Sequence, residues 1–65
     1  MNNILFTIIE TRTGVFSIKT RNRQYAKYED LEFNDVPFTH IYSVMKLCCS
    51  ICNNKYNIGA TFEIA

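Results

Sequence analysis

Ile4, Phe6 and Ile8 fall on one face of a period-two segment, and Phe16, Ile18 and Thr20 fall on one face of a second. Between them, Thr11-Arg12-Thr13-Gly14 reads as a hairpin loop, with Gly14 available for the positive φ that a four- or five-residue connection needs near its end. The β-branched and aromatic content of both arms suits a pleated, half-buried surface. Leu5 and Ile9 lie on the opposite face, which is therefore not fully polar.

Residues 20–34 carry Tyr25, Ala26, Tyr28, Leu31 and Phe33 among charges, with no sustained period of two or 3.6. They read as a connection with a short third strand around Tyr25–Tyr28. Farther on, Ile41, Val44, Met45, Cys48, Ile51 and Cys52 follow the i, i+3, i+4, i+7 spacing of a helix with one buried stripe, flanked by Leu47 on one side and Tyr42 and Cys49 on the other. Asp35 or Thr39 can cap this helix, Pro37 is tolerated in its first turn, and Asn53-Asn54 ends it. After a turn at Asn57-Ile58-Gly59, residues 60–65 alternate again, Phe62 and Ile64 against Thr61 and Glu63. The elements predict an α+β fold in β-β-α-β order: a small antiparallel sheet of three or four strands with one helix packed on one face. Residues 1–65 make a single compact domain, since no repeat, low-complexity tract or linker divides them.

Composition narrows the class. At 65 residues a chain buries only about 60% of its unfolded surface, so stability is expected to be marginal. Apolar residues make up 48% and charged residues 20%, which is globular and neither disordered nor fibrous. The net charge of +1 gives no global field toward nucleic acid or an anionic membrane. Five of the seven basic residues (Arg12, Lys19, Arg21, Arg23, Lys27) nevertheless precede four of the six acidic ones (Glu29, Asp30, Glu32, Asp35), which predicts a dipolar surface.

The run Ile4–Ile9 has no basic residue before it and no small-residue cleavage site after it, so it reads as a strand and not a signal peptide. His40, Ser43, Lys46 and Ser50 interrupt the other long apolar stretch, so no spanning helix of about 20 apolar residues is expected. Cys48, Cys49 and Cys52, an odd number within five positions, do not resemble a secreted disulfide framework. A soluble protein of the cytoplasm is the expectation, the host cytoplasm if the chain is viral.

Candidate chemistry is sparse. Cys49-x-x-Cys52 would be half of a zinc site, but no second pair exists, and along one helix His40 sits about 12 Å or more from the nearest cysteine. Zinc shared between two protomers is a third reading. A redox dithiol gains from a helix N-terminus, whereas this pair lies toward the predicted C-terminal end, with Cys48 and Cys52 on the apolar stripe as core residues. His40, the sole histidine, has no nucleophile or phosphate loop to serve, so no catalytic residue, metal or cofactor is expected.

The stretch from Lys19 to Tyr28 combines cations with two tyrosines. Arg21, Arg23, Tyr25, Lys27 and Tyr28 are the candidate partner-binding residues, fitting either phosphates and unpaired bases or a protein interface, where Tyr and Arg are enriched. The acidic stretch from Glu29 to Asp35 would repel nucleic acid on the same face, and a protein partner can present patches of both signs. A solvated strand end and loop is the plain alternative.

The order of elements in Ile4–Glu10, Val15–Arg21, Phe38–Cys52 and Ala60–Ala65 resembles the small accessory proteins that bacteriophages use to bind and disable host enzymes, toxins or defence systems, and the abundance of Asn, Ile, Lys, Tyr and Phe suits an AT-rich genome. The resemblance implies a non-enzymatic binding module that inhibits or modulates a host or phage protein. A small nucleic-acid-binding regulator using residues 19–28 is the alternative. Self-association through Leu5 and Ile9 or an unpaired strand edge is expected to accompany either.

Overall fold

A computed structural model describes residues 3–65. The strand β1 (Asn3–Arg12) turns through Thr13 and Gly14 into β2 (Val15–Thr20), with Gly14 at φ 76° in the left-handed region. After a connection comes β3 (Phe33–Pro37), then a 3₁₀ turn (Phe38–His40), the helix α1 (Ile41–Lys55) and β4 (Gly59–Ile64). The sheet order is β3-β2-β1-β4, so the α+β class with one helix stands.

The third strand is not at Tyr25–Tyr28. Residues 21–32 form two 3₁₀ turns (Arg23–Tyr25 and Glu29–Leu31), and the strand follows at Phe33–Pro37. Asp35 at φ 55° and a register shift opposite Phe16 and Ile18 break its alternation. The helix has His40 at its N-cap position with no side-chain cap bond, while Pro37 ends β3. It continues two residues past Asn53, to Lys55.

The sheet is also mixed, where an antiparallel one was expected. β1 to β2 and β2 to β3 each reverse the chain, so β3 runs parallel to β1. The 15 residues of α1, about 22 Å of helix, then carry the chain back along the sheet to start β4 in the direction of β3. β4 therefore pairs parallel with β1, in unbroken register from Asn3↔Gly59 to Ile8↔Ile64.

The core lies between α1 and one sheet face. Ile4, Phe6 and Ile18 meet Cys48 and Cys52, all fully buried, and Phe6 stacks on Phe62 with ring centroids 5.3 Å apart. Leu31, from the connection, is buried in the same cluster. On the other sheet face, Thr7 and Ser17 are buried but satisfied: Thr7 Oγ1 donates to Glu63 Oε2 at 3.0 Å and Ser17 Oγ to Asn34 Oδ1 at 3.2 Å. No helix among the described residues is long and apolar enough to cross a membrane.

Candidate functional site

Of the five residues expected to form a partner patch, Tyr25, Lys27 and Tyr28 lie together, while Arg21 is engaged on the sheet. Arg21 lies on the sheet face away from α1, where its Nη1 donates to Glu63 Oε2 at 2.7 Å. Lys19 pairs more loosely with Glu32 at 3.7 Å. Tyr25 is half-buried in a cluster with Tyr28 and Tyr56, at centroid distances of 5.8 Å to Tyr56 and 6.2 Å to Tyr28. That cluster fastens the connection to the C-terminal end of α1, where Tyr56 Oη and Lys55 Nζ both donate to Asp30. Arg23, Lys27 and Tyr28 keep exposed surface, with Lys27 Nζ 5.6 Å from the Tyr28 ring centroid.

These ion pairs shift the titration of their own members. The Arg21 guanidinium, helped by the Thr7 hydroxyl, holds the Glu63 carboxyl below its usual range. Lys55, bonded to Asp30, does the same for that carboxyl, and the pairing pushes Lys55 upward. Burial pushes the Tyr56 hydroxyl up, with the Asp30 bond adding to it.

A pH dependence follows. Both carboxyls have a lower pKa folded than unfolded, so the unfolded chain binds more protons and stability rises with pH. Their contribution is fully present above the unfolded carboxylate range, about 3.9 to 4.3, and is lost as pH falls through the lower folded values. The urea midpoint should hold from pH 7 to about 5 and drop below about pH 4. Because both half-buried carboxyls still reach solvent, 1 M salt should flatten the drop. Arg21→Ala should shrink it, and an undiminished drop in that variant would remove Glu63 from the account.

The cysteines are free, Cys48 and Cys52 buried and Cys49 exposed. Burial pushes the Cys48 thiol up to about 12 and moves Cys52 in the same direction, so both are protonated packing groups under the helix. His40 is exposed, at the N-terminus of α1. Among the described residues, no three His, Cys, Asp or Glu side chains are grouped to hold a metal ion.

A concave apolar surface lies elsewhere, at the end of the molecule where α1 begins. Pro37 closes β3, and the Phe38 N–H donates to the Gly14 carbonyl at 2.8 Å, setting Phe38 beside the β1–β2 turn with its ring 6.4 Å from that of Phe16. The helix starts only at Ile41, so the sheet beyond Ile8 and Ile64 has no cover. The result is a groove of about 500 Å³ floored by Ile8, Phe16, Phe62 and Ile64 and walled by Phe38, Ile41, Tyr42 and Met45. Three of these are left largely in water: Phe38 is 69% exposed, Tyr42 73% and Ile64 80%.

No family model, curated protein or solved structure matches this chain. The groove is accordingly read from its own lining, which offers apolar contact and the single Tyr42 hydroxyl, without a carboxylate, imidazole, amine or thiol. Lys46, which lines a neighbouring groove along α1, holds its Nζ 5.7 Å from the Tyr42 centroid. Sequence reasoning did not anticipate this groove because it weighed cations and tyrosines. The available signal was an apolar excess: Phe38 is three residues ahead of Ile41 on the helical stripe, and Ile64 is one alternation past Phe62.

Proposed function

We propose that this chain is a non-enzymatic binding module that holds an apolar segment of another protein in the groove between Phe38 and Ile64. The observation that carries the reading is the exposure of Phe38, Tyr42 and Ile64 around one concavity in a chain this small. Large side chains gathered at a single concave patch are characteristic of interaction sites, whereas singly scattered ones are ordinary surface. Lys46, over the Tyr42 ring, favours a segment with an acidic residue beside its apolar anchors. A host or defence protein disabled by occlusion, as the bacteriophage resemblance implies, is a partner of this class.

The test compares three forms of the tagged chain in affinity capture from a nuclease-treated bacterial lysate: wild type, Phe38→Asp, and the Arg23→Ala/Lys27→Ala double variant. Wild type and the double variant should retain one stoichiometric protein. Phe38→Asp, at a position exposed enough to leave folding intact, should weaken it by about 30-fold or more, the effect of losing a hot-spot aromatic. Failure to recover any protein at any salt concentration would sink the reading. Capture that occurs only when the nuclease is omitted, or that is lost in the double variant with Phe38→Asp unaffected, would make the 19–28 segment a nucleic-acid contact instead.

A further inference from the structure

The two edges of the sheet are built differently. β3 has five residues, ends in Pro37, carries Asp35 at positive φ and slips register against β2, which are the devices that keep a strand edge from pairing. β4, at the other edge, has six residues, no proline, lysine or bulge, and an unbroken register. Its one charge, Glu63, is already bonded to Arg21.

The ladder fixes which groups of β4 are free. The Ala65 N–H donates to the Ile8 carbonyl, so by the alternation of a strand Glu63 and Thr61 also turn their backbone groups to β1. The N–H and C=O groups of Ala60, Phe62 and Ile64 therefore point out of the sheet. The same three residues present their side chains on the helix face, where Ala60 and Phe62 line a second groove of about 430 Å³ overhung by Tyr42, Met45, Lys46 and Cys49.

We propose that β4 is the interface of a symmetric homodimer, two copies pairing antiparallel with Phe62 opposite Phe62 on the two-fold axis. A two-fold contact requires a self-complementary patch, and this one is. Phe62 is the midpoint of the outward-facing set, so the register uses all of it and sets small Ala60 against large Ile64 on each side. On the opposite face Thr61 meets Glu63. Thr61 Oγ1 accepts from Asn3 Nδ2 at 3.0 Å, which leaves its own proton free for the second copy's carboxylate. Shifting the centre to Glu63 would place two carboxylates face to face, and that register is excluded by repulsion.

The area also suits a second copy. Tyr42, 73% exposed, leaves roughly 150 Å² on the scale of about 200 Å² per aromatic side chain. Ile64, the outer sides of Met45 and Phe62 and the strand backbone extend this toward the ~800 Å² per partner of a stable interface. The pairing runs β4 antiparallel, so the two Phe38 ends of the dimer point apart, while Tyr42, Met45, Phe62 and Ile64 line both the end groove and the pairing edge.

Sedimentation equilibrium and amide exchange on the full chain test the proposal. Wild type should reach twice its 7.6 kDa mass, and exchange at Ala60, Phe62 and Ile64 should slow about tenfold as concentration crosses the dissociation constant. Ile64→Pro removes an outward N–H without touching the β1 ladder and should weaken the dimer at least tenfold with an unchanged far-UV spectrum. Ile9→Lys, on the other sheet face, and Phe38→Asp should leave it intact. A monomer at every concentration, or a dimer that survives Ile64→Pro and dissolves with Ile9→Lys, would overturn the assignment.

Discussion

Phe6→Ala is expected to remove much or all of the chain's stability at 25 °C. Phe6 is fully buried at the centre of the sheet, stacked on Phe62 at an interplanar angle of 22°. Truncating such a ring removes its transfer free energy and opens a cavity that the surrounding structure fills only in part, for a loss of about 3–5 kcal/mol. A chain of 65 residues has a total of about 3–10 kcal/mol at the usual stability per residue. The loss thus consumes much or all of what is there. Urea denaturation followed by circular dichroism reads the effect. Leu47→Ala, at 48% exposure, is the control and should stay within about 0.5 kcal/mol. A cost below about 1.5 kcal/mol at Phe6 would mean that the core is looser than its burial implies.

Leu31→Ala should cost about 2–5 kcal/mol, an effect that no reading of residues 20–34 as a surface connection would anticipate. Its side chain is fully buried in the main cluster, and the 3₁₀ turn Glu29–Leu31 that delivers it is closed by the Leu31 N–H donating to the Tyr28 carbonyl at 3.1 Å. The connection is a lid over the sheet end near Thr20 and the C-terminal half of α1, with Leu31 inside, the tyrosine cluster beside it and Asp30 bonded to Lys55 and Tyr56. A cost under about 0.5 kcal/mol, the surface range, would show that residues 21–32 fold independently of the core.

Leu31 also marks where the sequence stops being legible. The hairpin could be read because Ile4, Phe6, Ile8 and Ile18 all enter one core and period two survives in the residue order. The helix could be read because Cys48 and Cys52 sit at the centre of its buried stripe. A 3₁₀ turn of three residues is too short to impose a period, so Leu31 looks the same as its exposed neighbours. In β3, only Val36 is buried, and the positive φ at Asp35 puts consecutive residues out of alternation. With β3 misplaced, the number of chain reversals ahead of the helix was unknown, and with it the direction of β4.

The candidate site was less legible than the fold, for a different reason. The charges and tyrosines of residues 19–28 are conspicuous in sequence, but ion pairing of Arg21 with Glu63 and packing of Tyr25 on Tyr56 are long-range facts. The groove depends on how far α1 falls short of the sheet end, which Pro37 and the bond from Phe38 N–H to the Gly14 carbonyl determine. Ile64 illustrates the point. It continues the inward alternation of Phe62, yet it is 80% exposed because nothing on the helix side reaches it. Pattern assigns a residue to a face, and only the assembled layers decide whether that face is covered.

The most direct measurement is side-chain NMR of the chain, free and bound to the protein recovered by wild type, comparing the methyl signals of Ile8, Ile41, Met45 and Ile64 with the signals of Arg23, Lys27 and Tyr28. The account predicts that the four methyl-bearing residues around the groove shift on binding while the three residues of the basic connection hold still. Shifts confined to Arg23, Lys27 and Tyr28, with the groove methyls unmoved, would contradict it.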